Sequence, residues 1–173
     1  DASYDKSGEE MLVAAKNDSA HRALSDAIKR RDVSRRYAAL VSGRPSASRG
    51  IVDAPIGRSR ADRLKMAIDE ERGRAARTRW QVERWGPGIC LLRVQLETGR
   101  THQIRVYLAR IGMPVIGDRV YGLPKKREIE RVPHAASAIV QAISRVERQM
   151  LHAWALAFPH PADGRLMRFE APL

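Results

Sequence analysis

The sequence predicts an α+β domain, and three observations support this class. Short apolar or alternating stretches, bounded by Gly and Pro turns, recur along the chain and are typical of hairpin strands. Helical spacing of apolar residues appears in only a few places. The chain has 173 residues and is 43% hydrophobic, which suits one domain with a real core. We therefore expect a single domain over 1–173 with mixed strands and helices.

The first third of the chain predicts a strand, a helix and a second strand. The apolar run MLVAA (11–15) predicts a buried strand. Asn17 opens a run of residues that favour helix N-caps, and apolar residues follow at helical spacing, which predicts an amphipathic helix over 19–30. The segment RYAALVS (36–42) predicts a strand that ends at Gly43.

The middle third predicts short strands and one hairpin. Alternating residues, a Gly-Pro-Gly turn and a second apolar strand follow one another between residues 76 and 97. This order predicts a hairpin. The predicted strands are 51–58, interrupted at Pro55, then 64–69, 76–85 and 89–97.

The last third predicts helices and two closing strands. Ile104, Tyr107, Leu108 and Ile111 share one helical face, with Arg100 and Thr101 at the start of that helix and Gly112 as its stop. The Gly- and Pro-containing segment 113–126 predicts a loop. The remaining predicted elements are a helix over 135–150 and strands over 151–158 and 166–171.

The charge balance favours a polyanionic partner. The chain carries 32 Lys and Arg against 20 Asp and Glu, a net charge of +12. Nucleic acid is the polyanion that such an excess most often serves, and the alternative is a basic protein without such a partner. The single cysteine, Cys90, excludes a disulfide framework and a cysteine-based zinc site. No apolar run reaches the roughly 18 residues of a membrane span, and no signal peptide is visible.

Several common chemistries lack their motifs in this sequence. The phosphate-binding G-x-x-x-x-G-K-[ST] loop is absent, and so are G-x-S-x-G and H-E-x-x-H. The five histidines have no metal-ligand spacing, so we expect no metal site.

The most informative segment is LETGRTHQIRVYLARIGMPVIGDRVYG (96–122). A strand runs into a tight Thr98-Gly99 turn, and Arg100 follows at the predicted helix start. An arginine held there can grip a carboxylate or a phosphate through two parallel hydrogen bonds. The alternative is an ordinary strand-to-helix junction with a surface arginine.

The segment TGRTHQIR (98–105), continued by GDRVYG (117–122), resembles the motif of the RluA/RluD-type family of pseudouridine synthases. The segments RRYAALVSGRP (35–45), GIVDAPIGR (50–58) and 151–173 are similar to further blocks of the family, in the family's order. The resemblance implies a mixed, mostly antiparallel sheet with flanking helices and a basic cleft. It also implies isomerisation of uridine in ribosomal or transfer RNA, without cofactor or metal, in the cytoplasm.

The family's catalytic aspartate falls on Asp5 when the chains are aligned without a gap from AAKND (14–18). A two-residue gap would instead pair Ser7-Gly8 with the family's Ser-Gly and break the match at Asp5. Residues 2–4 and 8–10 differ from the family's H-R-L and T-S-G. The family's catalytic domain also begins well before this aspartate, so we expect an N-terminal portion to be missing.

The resemblance implies a role for each matching residue. Asp5 is the carboxylate catalyst, which attacks the sugar or assists elimination to a glycal, and Arg100 keeps it charged and oriented. Tyr37 stacks on the uracil and helps remove the C5 proton, and Ile104 packs against the base. Gln103 and Arg105 are expected to be structural.

Four basic residues near the 58–63 loop are candidate contacts to RNA phosphates. They are Arg58, Arg60, Arg63 and Lys65. Two alternatives remain open. The chain is a catalytically impaired RNA-binding module of the same fold, as the departures around Asp5 suggest. Otherwise it is a basic hydrolase or nuclease with an unrecognised site, which would cut the RNA strand.

Overall fold

The computed structural model describes residues 11–172. Four helices and eight strands lie within this range. In chain order they are α1 (Asp18–Lys29), β1 (Ser34–Ser42), β2 (Arg49–Asp53), β3 (Ile56–Arg58), β4 (Met66–Ile68), β5 (Arg77–Trp85), β6 (Ile89–Leu96), α2 (Gln103–Arg110), α3 (Lys125–Glu130), α4 (Ser137–Ser144), β7 (Leu151–Pro159) and β8 (Leu166–Glu170).

Six of the strands form one antiparallel sheet in the order β2-β5-β6-β1-β7-β8, and β3 and β4 form a separate two-stranded ribbon. The predicted hairpin is the β5–β6 pair, and the strands predicted over 151–158 and 166–171 are β7 and β8. The α+β prediction is therefore confirmed. None of the helices within 11–172 is long and apolar enough to cross a membrane.

The two faces of the large sheet differ in character because successive strand residues point to opposite sides. One face, called the core face, carries buried residues such as Val41, Leu92 and Val94, and α2 packs on it through Ile104 and Leu108. The other face, called the second face, carries Arg36 opposite Gln95 and Arg79 opposite Gln95. Helices α3 and α4 belong to a cluster that covers one end of this second face, around Leu40 and Ile89.

Helix α1 confirms the predicted 19–30 helix within one residue at each end. The side chain of Asn17 caps it by accepting a hydrogen bond from the Ala20 amide at 2.8 Å. Its buried Leu24 and Ala27 pack against Leu156 and Phe158 on β7.

The strand predicted over 11–15 is wrong, because these residues form no strand. Met11 and Ala15 instead pack against the cluster between α1 and β7. An apolar run can therefore belong to a strand or to an irregular segment whose side chains pack on the core. Its composition alone does not distinguish these two structures.

The helix predicted over 135–150 is too long, and the sequence predicts no helix at α3, whose first two residues fall within the loop predicted over 113–126. Helix α4 ends at Ser144, while α3 begins at Lys125. The Lys125 ammonium donates to the carbonyls of Ile143 at 3.0 Å and Val146 at 2.7 Å. A side chain from another helix therefore satisfies carbonyls at the end of α4, where continued helix would otherwise do so.

Candidate active site

The turn between β6 and α2 is held by one buried amide side chain. Gln103 is only 2% exposed, and its Oε1 accepts from the Arg100 amide and from Thr98 Oγ1, both at 2.9 Å. Its Nε2 donates to the Arg77 carbonyl at 3.0 Å and to Thr78 Oγ1 at 2.8 Å. With all four bonds formed, the backbone of Arg100 is fixed relative to β5. This confirms the expectation that Gln103 is structural.

Arg100 does not start a helix, so that prediction is wrong. Helix α2 begins at Gln103, and the residue before it, His102, has a φ of +56°, in the left-handed region. Arg100 instead lies in the preceding turn, half-buried, with its Nε donating to the Ala75 carbonyl at 3.1 Å. Among residues 11–172, no carboxylate lies within ion-pair distance of its guanidinium.

A second arginine, Arg35, lies against the same turn. A Cβ atom on Gly99 would lie 2.2 Å from Nη1 of Arg35, so the guanidinium rests where any side chain would be. The Arg35 Nε is buried and has no hydrogen-bond partner in the described part of the chain. Burial lowers the pKa of Arg35, the nearby Tyr37 raises it, and the charge of Arg100 lowers it further. Two guanidinium groups are therefore close together on the core-face side.

The sequence predicts no role for Arg35, although Arg35 is the first residue of the segment RRYAALVSGRP (35–45). The signal that could have found it is its spacing, because Arg35 lies two residues before Tyr37 on β1 and so shares a face with it. Its partner across the ladder is Leu96, the last residue of β6 before the turn.

Tyr37 and Ile104 meet in the same packed region. Tyr37 is half-buried opposite Val94 and packs against the core cluster to which Ile104 belongs. Ile104 is 4% exposed. Tyr37 packs on the cluster that holds Ile104, and both Tyr37 and Arg100 lie near the Arg35 guanidinium. Asp5 lies outside the described residues.

The first turns of α2 are anchored by a buried ion pair. Arg105 donates to Asp118 through Nε and Nη2, both at 2.8 Å, and their side chains are 6% and 1% exposed. Burial alone would raise the pKa of Asp118. Hydrogen bonds from Arg105 and from the amides of Tyr121 and Val120 outweigh burial and lower the pKa. Asp118 is therefore an ionised buried group, and Arg105 is structural, as expected.

Tyr121 connects this anchor to the β3–β4 ribbon. Its hydroxyl accepts from the Met66 amide of β4 at 2.8 Å and lies 2.9 Å from Nδ1 of His102. Burial raises the pKa of Tyr121, so the hydroxyl keeps its proton at neutral pH. That proton is available to donate to His102, and the start of α2 is thereby tied to the basic ribbon.

The four predicted phosphate contacts lie on or beside this ribbon, and three of them, Arg58, Arg60 and Arg63, line an open pocket of about 730 Å³. Arg60 forms ion pairs with Glu71 at 2.6 Å and with Asp69 at 3.5 Å. Lys65 is 3.8 Å from Asp62. Arg58 and Arg63 are exposed and have no carboxylate partner within 11–172, so they are the better placed for an outside anion.

Comparison with known proteins identifies the family to which this sequence is similar. A family model described as RNA pseudouridylate synthase matches residues 5–110. An uncharacterised RNA pseudouridine synthase of Chloroflexus aurantiacus is 44% identical over 163 residues, covering 94% of this chain and 46% of that protein. The ribosomal large subunit pseudouridine synthase D of Nitrosomonas europaea is 43% identical over 169 residues, covering 98% of this chain and 46% of that protein.

A solved structure of human RNA pseudouridylate synthase domain containing 1 superposes with a TM-score of 0.76 at 28% identity. The match covers 98% of this chain and 66% of that one. The fold is therefore that of a pseudouridylate synthase domain. The chain belongs to the RNA pseudouridylate synthase family, and it spans about half the length of the curated relatives it matches.

Proposed function

We propose that this chain is the catalytic domain of an RNA pseudouridine synthase that acts on ribosomal or transfer RNA in the cytoplasm. The observation that carries the proposal is the arrangement of Arg35, Tyr37 and Arg100 around the turn that Gln103 fixes. The guanidinium groups of Arg35 and Arg100 have no carboxylate partner among residues 11–172, and an anion would balance their charge. A catalytic carboxylate supplies it, and Asp5 is our candidate because it occupies the aspartate position in the ungapped alignment.

The reaction rearranges bonds and leaves the RNA strand intact. The N1–C1′ bond of uridine breaks, the uracil turns, and C5 bonds to C1′. The C5 proton is released and N1 gains a proton, so atoms balance without an oxidant or reductant. Asp5 either attacks C1′ or assists elimination to a glycal, and both routes need an ionised carboxylate. Arg100 stabilises that ionised form.

Tyr37 and Ile104 are our candidates for handling the base. The uridine must leave its stack to reach the catalytic carboxylate, which costs a few kcal/mol. The Tyr37 ring can stack on the uracil, and its hydroxyl can help remove the C5 proton. Ile104 offers an apolar wall beside it.

Phosphate contacts offset the cost of base flipping. Arg58 and Arg63 are our first candidates, because neither is engaged by a described carboxylate. Arg60 and Lys65 are held by acidic neighbours and are expected to contribute less. Ribosomal RNA is the preferred substrate class, because relatives over 40% identical carry the name of a ribosomal large subunit enzyme.

A second candidate function is RNA binding without turnover. Residues 2–4 and 8–10 differ from the family motif on both sides of Asp5, and they place Glu9 and Glu10 where the family has small residues. Such a protein would bind RNA without isomerising uridine.

Tritium release from RNA labelled at uridine C5 tests the proposal directly. We expect release with the unaltered protein and none with Asp5→Asn. Asp163→Asn serves as the control, since Asp163 lies in the exposed turn before β8. Release that survives in Asp5→Asn would contradict the choice of aspartate. Bound RNA without release from any variant would support the binding module.

A further inference from the structure

The second face of the large sheet carries rows of long polar side chains across four strands. Residues paired across an antiparallel ladder project to the same side, so the register defines these rows. One row is Ile51, Arg79, Gln95 and Arg36, and the next is Arg49, Gln81, Arg93 and Ala38. The second face is therefore basic and polar where the core face is apolar.

These rows line an open groove of about 870 Å³. Trp154 of β7 closes one end, with the Arg93 guanidinium 4.3 Å from the centroid of its ring. The Trp154 Nε1 is buried without a hydrogen-bond partner in the described part of the chain. The groove thus combines a stacked aromatic ring and guanidinium group with polar side chains, as protein surfaces that bind nucleic acid do.

The charges in this groove are only partly balanced. Arg93 pairs with Glu83 at 2.6 Å, and Arg79 pairs with Glu97. Arg36 and Arg49 are exposed, and neither has an ion-pair partner among residues 11–172. Their strands are three ladder spacings apart, about 14 Å. Two free guanidinium groups on strands this far apart can each contact a different phosphate of one RNA strand.

The groove is separate from the candidate active site. Arg36 and Tyr37 are neighbours on β1, yet Arg36 pairs with exposed Gln95 while Tyr37 pairs with buried Val94. They therefore project from opposite faces of the sheet. We propose that this second face is an additional RNA-binding surface, which grips the phosphate backbone of the substrate away from the reacting uridine. The RNA identity of this partner rests on the proposed function.

Charge reversal of the two unpaired arginines tests the proposal. Arg36→Glu combined with Arg49→Glu is compared with Arg22→Glu combined with Arg165→Glu, which changes the net charge equally at exposed sites on α1 and in the turn before β8. Fluorescence anisotropy with a long ribosomal RNA fragment is measured over a range of salt concentrations. We expect the first pair to weaken binding about tenfold or more and to flatten the salt dependence by about one unit of slope per lost contact. The control pair should change binding much less.

Equal binding by the two double variants would overturn the proposal. Tritium release is measured over a range of RNA concentrations on the same samples, and Arg36→Glu with Arg49→Glu should raise the RNA concentration that gives half-maximal release, whereas the control pair should not. If no variant releases tritium, the proposed function fails. The binding comparison still tests whether the second face binds RNA. Circular dichroism confirms that both variants are folded.

Labelling of arginines with phenylglyoxal, read by mass spectrometry, identifies what occupies the groove. We expect Arg36 and Arg49 to react in the free protein and to be protected by RNA. Protection already present without RNA would mean that another part of the protein covers the face, and it would overturn the proposal.

Discussion

The guanidinium group of Arg35 occupies the space beside Gly99 that a side chain would fill. A Cβ atom built on Gly99 would lie 2.2 Å from Nη1 of Arg35. Glycine at this position therefore allows β1 and the Arg100 turn to approach each other closely. The contact brings together two guanidinium groups that belong to separate blocks of the sequence.

We expect Gly99→Ala to lower activity far more than stability. The clashing atom is the far end of a flexible side chain, so the guanidinium can move aside at little cost in the free energy of unfolding. That movement displaces a cation beside Tyr37 and Arg100, and small misplacements in an active site cost up to about 100-fold in rate. Tritium-release kinetics and thermal unfolding of the same variant measure the two effects.

A double-mutant cycle with Arg35→Lys identifies the cause of the loss. If Gly99→Ala acts by displacing the Arg35 guanidinium, the alanine should cost much less when Arg35 is already replaced. Equal rate losses in both backgrounds would show that the alanine acts through some other contact.

Gln103→Leu and Gln103→Glu are both expected to destabilise the protein strongly. Leucine leaves the Arg100 amide, Thr98 and the Arg77 carbonyl without their partner in a buried site. Each unsatisfied buried group costs about 1–3 kcal/mol. Glutamate keeps both acceptor bonds of Oε1, but it loses the two donor bonds of Nε2 and sets a second acceptor oxygen against the Arg77 carbonyl in a buried site.

Urea unfolding measures these costs, with Gln141→Leu as the matched control. Gln141 is exposed on α4, so its replacement should change the free energy of unfolding by less than about 0.5 kcal/mol. A Gln103→Leu variant as stable as the control would contradict the role assigned to this amide.

Local sequence patterns predict the elements whose stabilising contacts lie close together in the sequence. The β5–β6 hairpin follows from alternation around a Gly-Pro-Gly turn, and α1 follows from its cap and its apolar spacing. The errors arise from contacts distant in sequence. Lys125 donates to carbonyls at and just after the end of α4, and Met11 is partly buried against a cluster that includes β7 residues far along the chain. The role of Arg35 depends on Gly99, 64 positions away, so no local pattern reveals it.

Asp118→Asn is expected to cost several kcal/mol of stability. The substitution removes the charge that compensates Arg105, and an uncompensated buried charge costs about 3–5 kcal/mol. Asp163→Asn breaks only an exposed contact to His160 and should have almost no effect. A combined Arg105→Met and Asp118→Leu variant should recover part of the loss, because it removes both charges together. Urea unfolding at neutral pH compares the four proteins.

The stability difference between the unaltered protein and Asp118→Asn should depend on pH in one direction. The pKa of Asp118 is lower in the folded protein than the roughly 3.9 of an unfolded chain. Its ionised form therefore contributes stability that is fully present above that unfolded value and is lost as pH falls through the lower folded value. We expect urea unfolding from pH 7 to pH 2 to show a constant difference down to about pH 4 and a shrinking one below. A difference that stayed constant across this range would mean that Asp118 does not stabilise the fold through its charge.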